Sequence, residues 1–203
     1  MATIETPEAV LSFWFEDVLE RPETIGVQMK RWYSGGKQLD ALITKKFGPT
    51  VDAVSNGLAD TWAAQGPRGR LAAIIGIDQF SRSIHRSSAK AFASDPLALK
   101  LARDAIATNE DELLHPIERV FAYMPFEHSE NLADQREAIQ LFEKLMTVAT
   151  DDTRAAFKSA LDYAHRHAEV IKKFGRFPHR NAVLGRTTTS TEQAFLAQTP
   201  AAF

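Results

Sequence analysis

A chain of 203 residues, 44% apolar and 25% charged, is long enough for one domain with a full core and has the balance of a globular protein in water. Its formal net charge of −2 comes from acids and bases mixed along the chain, so no basic field favours nucleic acid. With no cysteine present, disulfides, thiolate metal sites and a cysteine nucleophile are excluded.

The opening stretch MATIETPEAVLSFWFED carries acids where a signal peptide needs a basic region followed by an apolar run. No window approaches the roughly 18 uninterrupted apolar residues of a membrane span, and the expectation is a cytoplasmic protein. Thr6-Pro7-Glu8 is a helix start, with a capping hydroxyl, a proline in the first turn and an acid near the positive dipole end. Val10, Phe13, Trp14 and Val18 follow on one face. Residues 20–36 read as irregular around Trp32-Tyr33. A second helix takes Leu39, Leu42, Ile43 and Phe47 as its buried stripe and is expected to end at Gly48-Pro49. A shorter one carries Val51, Val54 and Leu58, interrupted near Asn56-Gly57.

Gly66-Pro67 opens the next helix, where Leu71, Ile74, Ile75 and Asp78 lie at i, i+3, i+4 and i+7. A carboxylate thus occupies a position on the buried stripe, with Arg82 one turn on along the same face. Two readings stand: a buried ion pair closing the helix end, or an acid facing a pocket. Asp95-Pro96 starts a helix through Leu97, Leu101, Ala105 and Ile106, and His115-Pro116 starts another through Ile117, Val120, Phe121 and Met124, with Pro125 as its expected stop. The short polar loop PFEHSEN carries His128 and Glu130, with Ser129 or Asn131 able to cap the following helix of Leu132, Gln135, Ile139, Phe142 and Met146. A long helix over residues 152–174 buries Phe157, Ala164, Ile171 and Phe174, with His167 inside the buried arc and His165 outside it.

Phe174-Gly175 stops that helix and Pro178 forbids its resumption. The loop beyond it, through residue 186, interleaves Phe174 and Phe177 with Arg176, His179, Arg180, Asn181 and Arg186. Such a set is either a capping loop whose arginines pair with carboxylates elsewhere, or an anion-binding or catalytic loop. Both rings are expected to be buried, with at least one of Arg176, Arg180 and Arg186 paired to Asp78 or Glu130. Ser190-Thr191-Glu192-Gln193 reads as a capping box for a last short helix.

No alternating strand pattern and no fixed repeat period occurs, so the expected class is all-α, seven to nine helices in one domain spanning residues 1–203. There is no phosphate loop, no G-x-G-x-x-G after a strand, no H-E-x-x-H and no nucleophile elbow. His128, Glu130, His167 and His179 are ligand types that suit Zn or Fe, but their spacing is no known signature. No metal or cofactor is assigned.

Three segments, IDQFSRSIHR (77–86), YMPFEHSENLADQ (123–135) and HAEVIKKFGRFPHRNAVLGR (167–186), together with the FWF at 13–15, resemble an uncharacterised bacterial family, domain of unknown function nine-two-four. The resemblance runs over essentially the whole chain. It implies a tetratricopeptide-repeat-like stack of helical hairpins and no assigned activity. Asp78, Arg82, His128, Glu130, Gln135, His167, Arg176, His179, Arg180, Asn181 and Arg186 match the family pattern, whereas Ser83, His85, Glu127 and Asn131 depart from it and are left outside the site.

The first functional expectation is a pocket for a small anionic metabolite where the three segments converge. Four arginines and up to three histidines against two carboxylates would make it locally positive. Asp78, His128, Glu130 and His179 would supply acid–base chemistry, and Arg82, Gln135, His167, Arg176, Arg180, Asn181 and Arg186 would bind the ligand. The alternative, from a different class, is a scaffold for a partner protein or a further copy of the chain, with the polar residues forming a buried structural network.

Overall fold

The first helix, α1 (Pro7–Phe15), begins as its sequence requires. Thr6 Oγ1 accepts from Ala9 N at 3.2 Å, and Val10, Leu11, Trp14 and Phe15 are buried. The computed structural model describes residues 3–198, and every regular element among them is helical. Beyond α1 these are α2 (Ile25–Ser34), α3 (residues 36–63), α4 (residues 67–84), α5 (Asp95–Ala107), α6 (Pro116–Glu127), α7 (Leu132–Met146), α8 (Asp151–Phe174) and α9 (Ser190–Gln198). Continuous runs counted once, that is 9 helices among the described residues.

The organising element is α4. From Leu71 to Asp78 every residue is buried, so the helix is covered on all sides. It is packed against α1, α3, α5 and α6. Gly69 lies where a Cβ would meet the Trp62 carbonyl oxygen at 2.2 Å, so only glycine lets the end of α3 and the start of α4 approach this closely. Contacts between α1 and α4, and between α2 and α8, join parts of the chain remote in sequence. The closure goes beyond the neighbour-to-neighbour packing of an open solenoid.

Four local expectations are corrected. Residues 20–36 are not irregular: a 3₁₀ turn (Pro22–Thr24) leads into α2. That helix fully buries only Ile25 and Gln28, and its short apolar stripe of Ile25, Met29 and Trp32 is interrupted by Gln28, so the periodicity is weak. Trp32 packs on Phe121 at 4.7 Å between ring centroids, and hydrogen bonds add to the docking, with Gln28 Nε2 (2.6 Å) and Trp32 Nε1 (2.8 Å) both donating to the Trp14 carbonyl near the end of α1.

Pro49 does not end the second helix, and Pro125 does not end α6. Gly48 has no Cβ to crowd the Pro49 ring, and buried Phe47, Thr50 and Val51 hold the helix on both sides. Around Pro125, every residue from Val120 to Glu127 is buried, which outweighs one missing N–H. The extra turn delivers Glu127 and His128 to the site. The expected break at Asn56-Gly57 is present as a kink, with Gly57 at φ 118°. Leu42, expected in the core, is 56% exposed, on the flank of the face formed by Leu39, Ile43 and Phe47. No helix among the described residues is long and apolar enough to cross a membrane.

Candidate functional site

Within α4 the backbone widens into a π turn over Ile75–Phe80, and Asp78 sits on it with its carboxylate at 0% exposure. Single wide turns of this kind are frequent at functional sites. Asp78 Oδ1 lies 2.7 Å from His128 Nδ1 and 3.2 Å from Arg82 Nη1, and Oδ2 accepts from Gln79 Nε2 at 2.6 Å. Burial alone would raise its pKa, but the positive charge of Arg82 and the His128 hydrogen bond outweigh it. The carboxyl is held well below the ordinary carboxylate range. An ionised Asp78 must accept, so His128 donates from Nδ1, which leaves Nε2 as the nitrogen free to face a ligand.

Arg82 extends the cluster. It donates to the Asp78 carbonyl at 2.5 Å and pairs with Asp95 at 3.1 Å. Asp95 is shared with Arg180 at 3.3 Å. The Arg180 guanidinium lies between two rings, 4.6 Å from the Phe92 centroid and 4.5 Å from that of Phe177. Burial lowers the Arg180 pKa to about 10 against the attraction of Asp95, and burial raises that of Asp95.

Two cavities meet at His128. One of about 350 Å³ is bounded by Phe92, Asp95, Glu130 and Arg180 as well as His128. The other, about 520 Å³, lies between α2, α6, α7 and α8, and its polar lining includes Lys30, Ser34, Glu127, His128, Ser159 and His167. His167 Nδ1 is 2.8 Å from Glu127 Oε1 and 2.9 Å from the Tyr163 carbonyl, which makes that nitrogen a donor too. The two imidazoles are 6.4 Å apart between centroids.

The loop after α8 is a network of its own. Gly175 stops the helix at φ 68°, with its N–H on the Ile171 carbonyl. Phe177 is fully buried, whereas Phe174 is only partly so and packs on Phe195 at 5.1 Å. Glu130 takes a bidentate pair from Arg186 (2.6 and 3.0 Å) and the Phe177 N–H (2.8 Å), meeting the expected pairing of a loop arginine. These bonds outweigh the cost of burial and lower the pKa of Glu130. Arg186 Nε donates to Asn181 Oδ1 at 3.0 Å. Arg176 is held bidentately by Glu192 at 2.7 and 2.9 Å, and Glu192 also accepts from Asn181 Nδ2 at 3.3 Å and Thr189 N at 2.7 Å. The capping box is therefore Thr189–Glu192, one residue earlier than expected. His179 stacks near Phe177 at 5.6 Å, and burial, reinforced by Arg180 and His167, lowers its pKa to about 4.

The structure thus brings Asp78, Arg82, His128 and Arg180 together through Asp95 and sets His167 beside them. Glu130, Arg176, Asn181 and Arg186 hold the loop. Gln135 Nε2 binds the carbonyls of Glu127 and Ser129, each at 2.6 Å, and fixes the turn between α6 and α7. Asn131 supplies the cap of α7, accepting from Ala133 N at 2.8 Å. The expected surplus of positive charge is absent, because Asp95 and Glu192 bring the carboxylates to one per arginine. In the sequence Asp95 reads as part of a helix start, Glu192 as part of a capping box and Glu127 as a departure from the family pattern. The surplus of arginines itself was the signal that more acids had to be near. No cluster of three or more metal-ligating side chains occurs among the described residues.

A protein of unknown function from Agrobacterium tumefaciens, ATU0120, has a similar structure, with a TM-score of 0.73 and 32% identity over 82% of this chain and 88% of that one. No curated protein matches. The family model described as "Bacterial protein of unknown function (DUF924)" matches residues 10–200. With the segments at 77–86, 123–135 and 167–186, which carry most of the candidate site, inside that span, the chain belongs to the DUF924 family of bacterial proteins.

Proposed function

We propose that this chain binds a small anionic molecule beside His128 and turns it over by general acid–base chemistry. The observation that carries the reading is the Asp78–His128 pair: a fully buried carboxylate 2.7 Å from Nδ1 of an imidazole that lines two cavities. A buried, ionised partner fixes the tautomer, orients the ring and stabilises the imidazolium that forms when Nε2 takes a proton. Lys30, in no ion pair among the described residues, supplies positive charge at the larger cavity that the paired arginines do not. A volume of about 520 Å³ lies within the roughly 300–1,000 Å³ usual for small-molecule sites.

A titration followed by imidazole ¹⁵N resonances tests this. Phosphorylated and carboxylated metabolites are screened by thermal shift, and a hit at about 100 times its Kd stabilises by about 2.7 kcal/mol. The hit should shift the His128 Nε2 signal, and its binding should be lost in His128→Gln. Stabilising ligands that leave His128 unperturbed would refute the proposal. A second reading, an interaction scaffold with a structural polar network, is favoured by the arginines all being paired. It expects His128→Gln to change stability with no small-molecule phenotype.

A further inference from the structure

The larger cavity says more about its ligand than its charge does. Its walls are Met29, Val120, Met124, Phe142, Ala160 and Tyr163, from α2, α6, α7 and α8. The polar lining includes Ser34, Ser159 and the rings of His128 and His167, each with its Nδ1 committed to a carboxylate. The aliphatic and thioether surface offers nothing to a polyphosphate, a sugar or a polar dicarboxylate. Hydrophilic ligands of that kind would lose hydration over most of the wall and regain few hydrogen bonds. Two methionines give a soft wall that adapts to the shape of an apolar group. Tyr163, 43% exposed, adds an aromatic face at the edge.

Building on the acid–base reading above, we infer that the ligand is amphipathic: an aromatic ring or short acyl chain carrying one anionic group. The apolar body lies against Met29, Met124 and Phe142, and the anion is met by Lys30. Lys30 is exposed, and it is the lysine lining this cavity. The only carboxylate among the lining residues, Glu127, is already paired with His167, so it does not repel a single negative charge as a bare acid would. The inorganic anion alone lacks the part of the molecule that the walls are shaped for.

The test uses the full chain and four probes: phenylacetate, hexanoate, the neutral isostere phenylacetamide, and inorganic phosphate. Binding is measured by calorimetry, and contact with the site by the ¹⁵N resonances of His128. Phenylacetate or hexanoate should bind and shift His128, and phenylacetamide should bind about tenfold more weakly, as expected for loss of a charge-assisted hydrogen bond. Lys30→Glu, at an exposed position that folding tolerates, should weaken the carboxylates about tenfold and leave phenylacetamide unchanged. Ala160→Trp should fill the cavity and abolish both, with urea unfolding as the check that the variant is folded. If phosphate binds and shifts His128 while the apolar carboxylates do not bind, the inference is overturned and the acid–base reading survives. If the apolar carboxylates bind with the Lys30 dependence but leave His128 unmoved, the ligand class stands and the acid–base reading fails. If neither carboxylate binds, or Lys30→Glu changes nothing, the inference is wrong.

Discussion

Replacing Asp78 by Asn removes one charge and almost no volume, and so isolates what the buried carboxylate does. The wild-type group receives His128 at 2.7 Å, Gln79 at 2.6 Å and Arg82 at 3.2 Å with no exposure to water. The amide keeps one acceptor and turns the other position into a donor, facing N–H groups that are themselves donors. Removing one partner of a buried pair usually costs about 3–5 kcal/mol. Arg82 keeps Asp95 at 3.1 Å and the residue-78 carbonyl at 2.5 Å, so the loss is placed at the low end, about 3 kcal/mol. For a chain of this length that corresponds to a Tm lower by about 6–12 °C. Because the folded carboxyl is held below its ordinary pKa, its contribution is fully present above about pH 4 and is lost only as pH falls through the folded value in strong acid. The wild-type and Asp78→Asn stability curves should converge there. Urea unfolding across pH gives the free energy, and ¹⁵N spectra give the His128 tautomer. A change within about 0.5 kcal/mol at neutral pH, the scatter of ordinary surface substitutions, with the tautomer unaltered, would refute the pairing as an organising contact.

The pKa of His179 is lowered from 6.5 to about 4, so the unfolded chain binds a proton that the folded one refuses between those values. Its contribution to stability therefore falls as pH drops from 6.5 towards 4, by about 2 kcal/mol after discounting for its partial exposure. His179→Gln should flatten that part of the stability–pH curve; an unchanged slope would show that other groups produce it. Gly69→Ala sets a methyl 2.2 Å from the Trp62 carbonyl oxygen and should cost about 1–3 kcal/mol as overpacking, read from the urea midpoint. Wild-type stability in that variant would mean that the α3–α4 junction relaxes freely.

Helices that bury an apolar stripe were legible before any coordinates, because the stripe is what makes them helices in a protein. What escaped was held by other means. The docking of α2 combines a stripe interrupted by Gln28 with two side-chain donors to one carbonyl, and the second of these has no periodicity. The prolines at 49 and 125 are carried by burial on either side, which outweighs a local preference. Asp78 was legible as a candidate because a carboxylate on a buried stripe is anomalous wherever it points. Its partners were less so: Arg180 finds Asp95 across 85 positions, and Arg186 finds Glu130 across 56. A polar residue announces that it needs a partner, but not which one.

That gap explains why a donor-rich loop reads equally well as an anion site and as a structural clasp. Arg176 and Arg186 each have a bidentate carboxylate, and these bonds tie the loop to Glu192 of α9 and to Glu130. Their geometry is complete within the chain, and displacing either would leave a carboxylate of the fold unmatched. The loop's route to the site is apolar instead. Phe177, fully buried and with its N–H on Glu130, lies 4.5 Å from the Arg180 guanidinium and 5.3 Å from the His167 ring. Glu130 and Arg186 therefore fix one ring, and that ring backs residues lining both cavities. The division of labour follows from the pairing: the carboxylate-bound arginines hold the wall in place, and the acid–base role in the proposed function falls to the imidazole at Asp78.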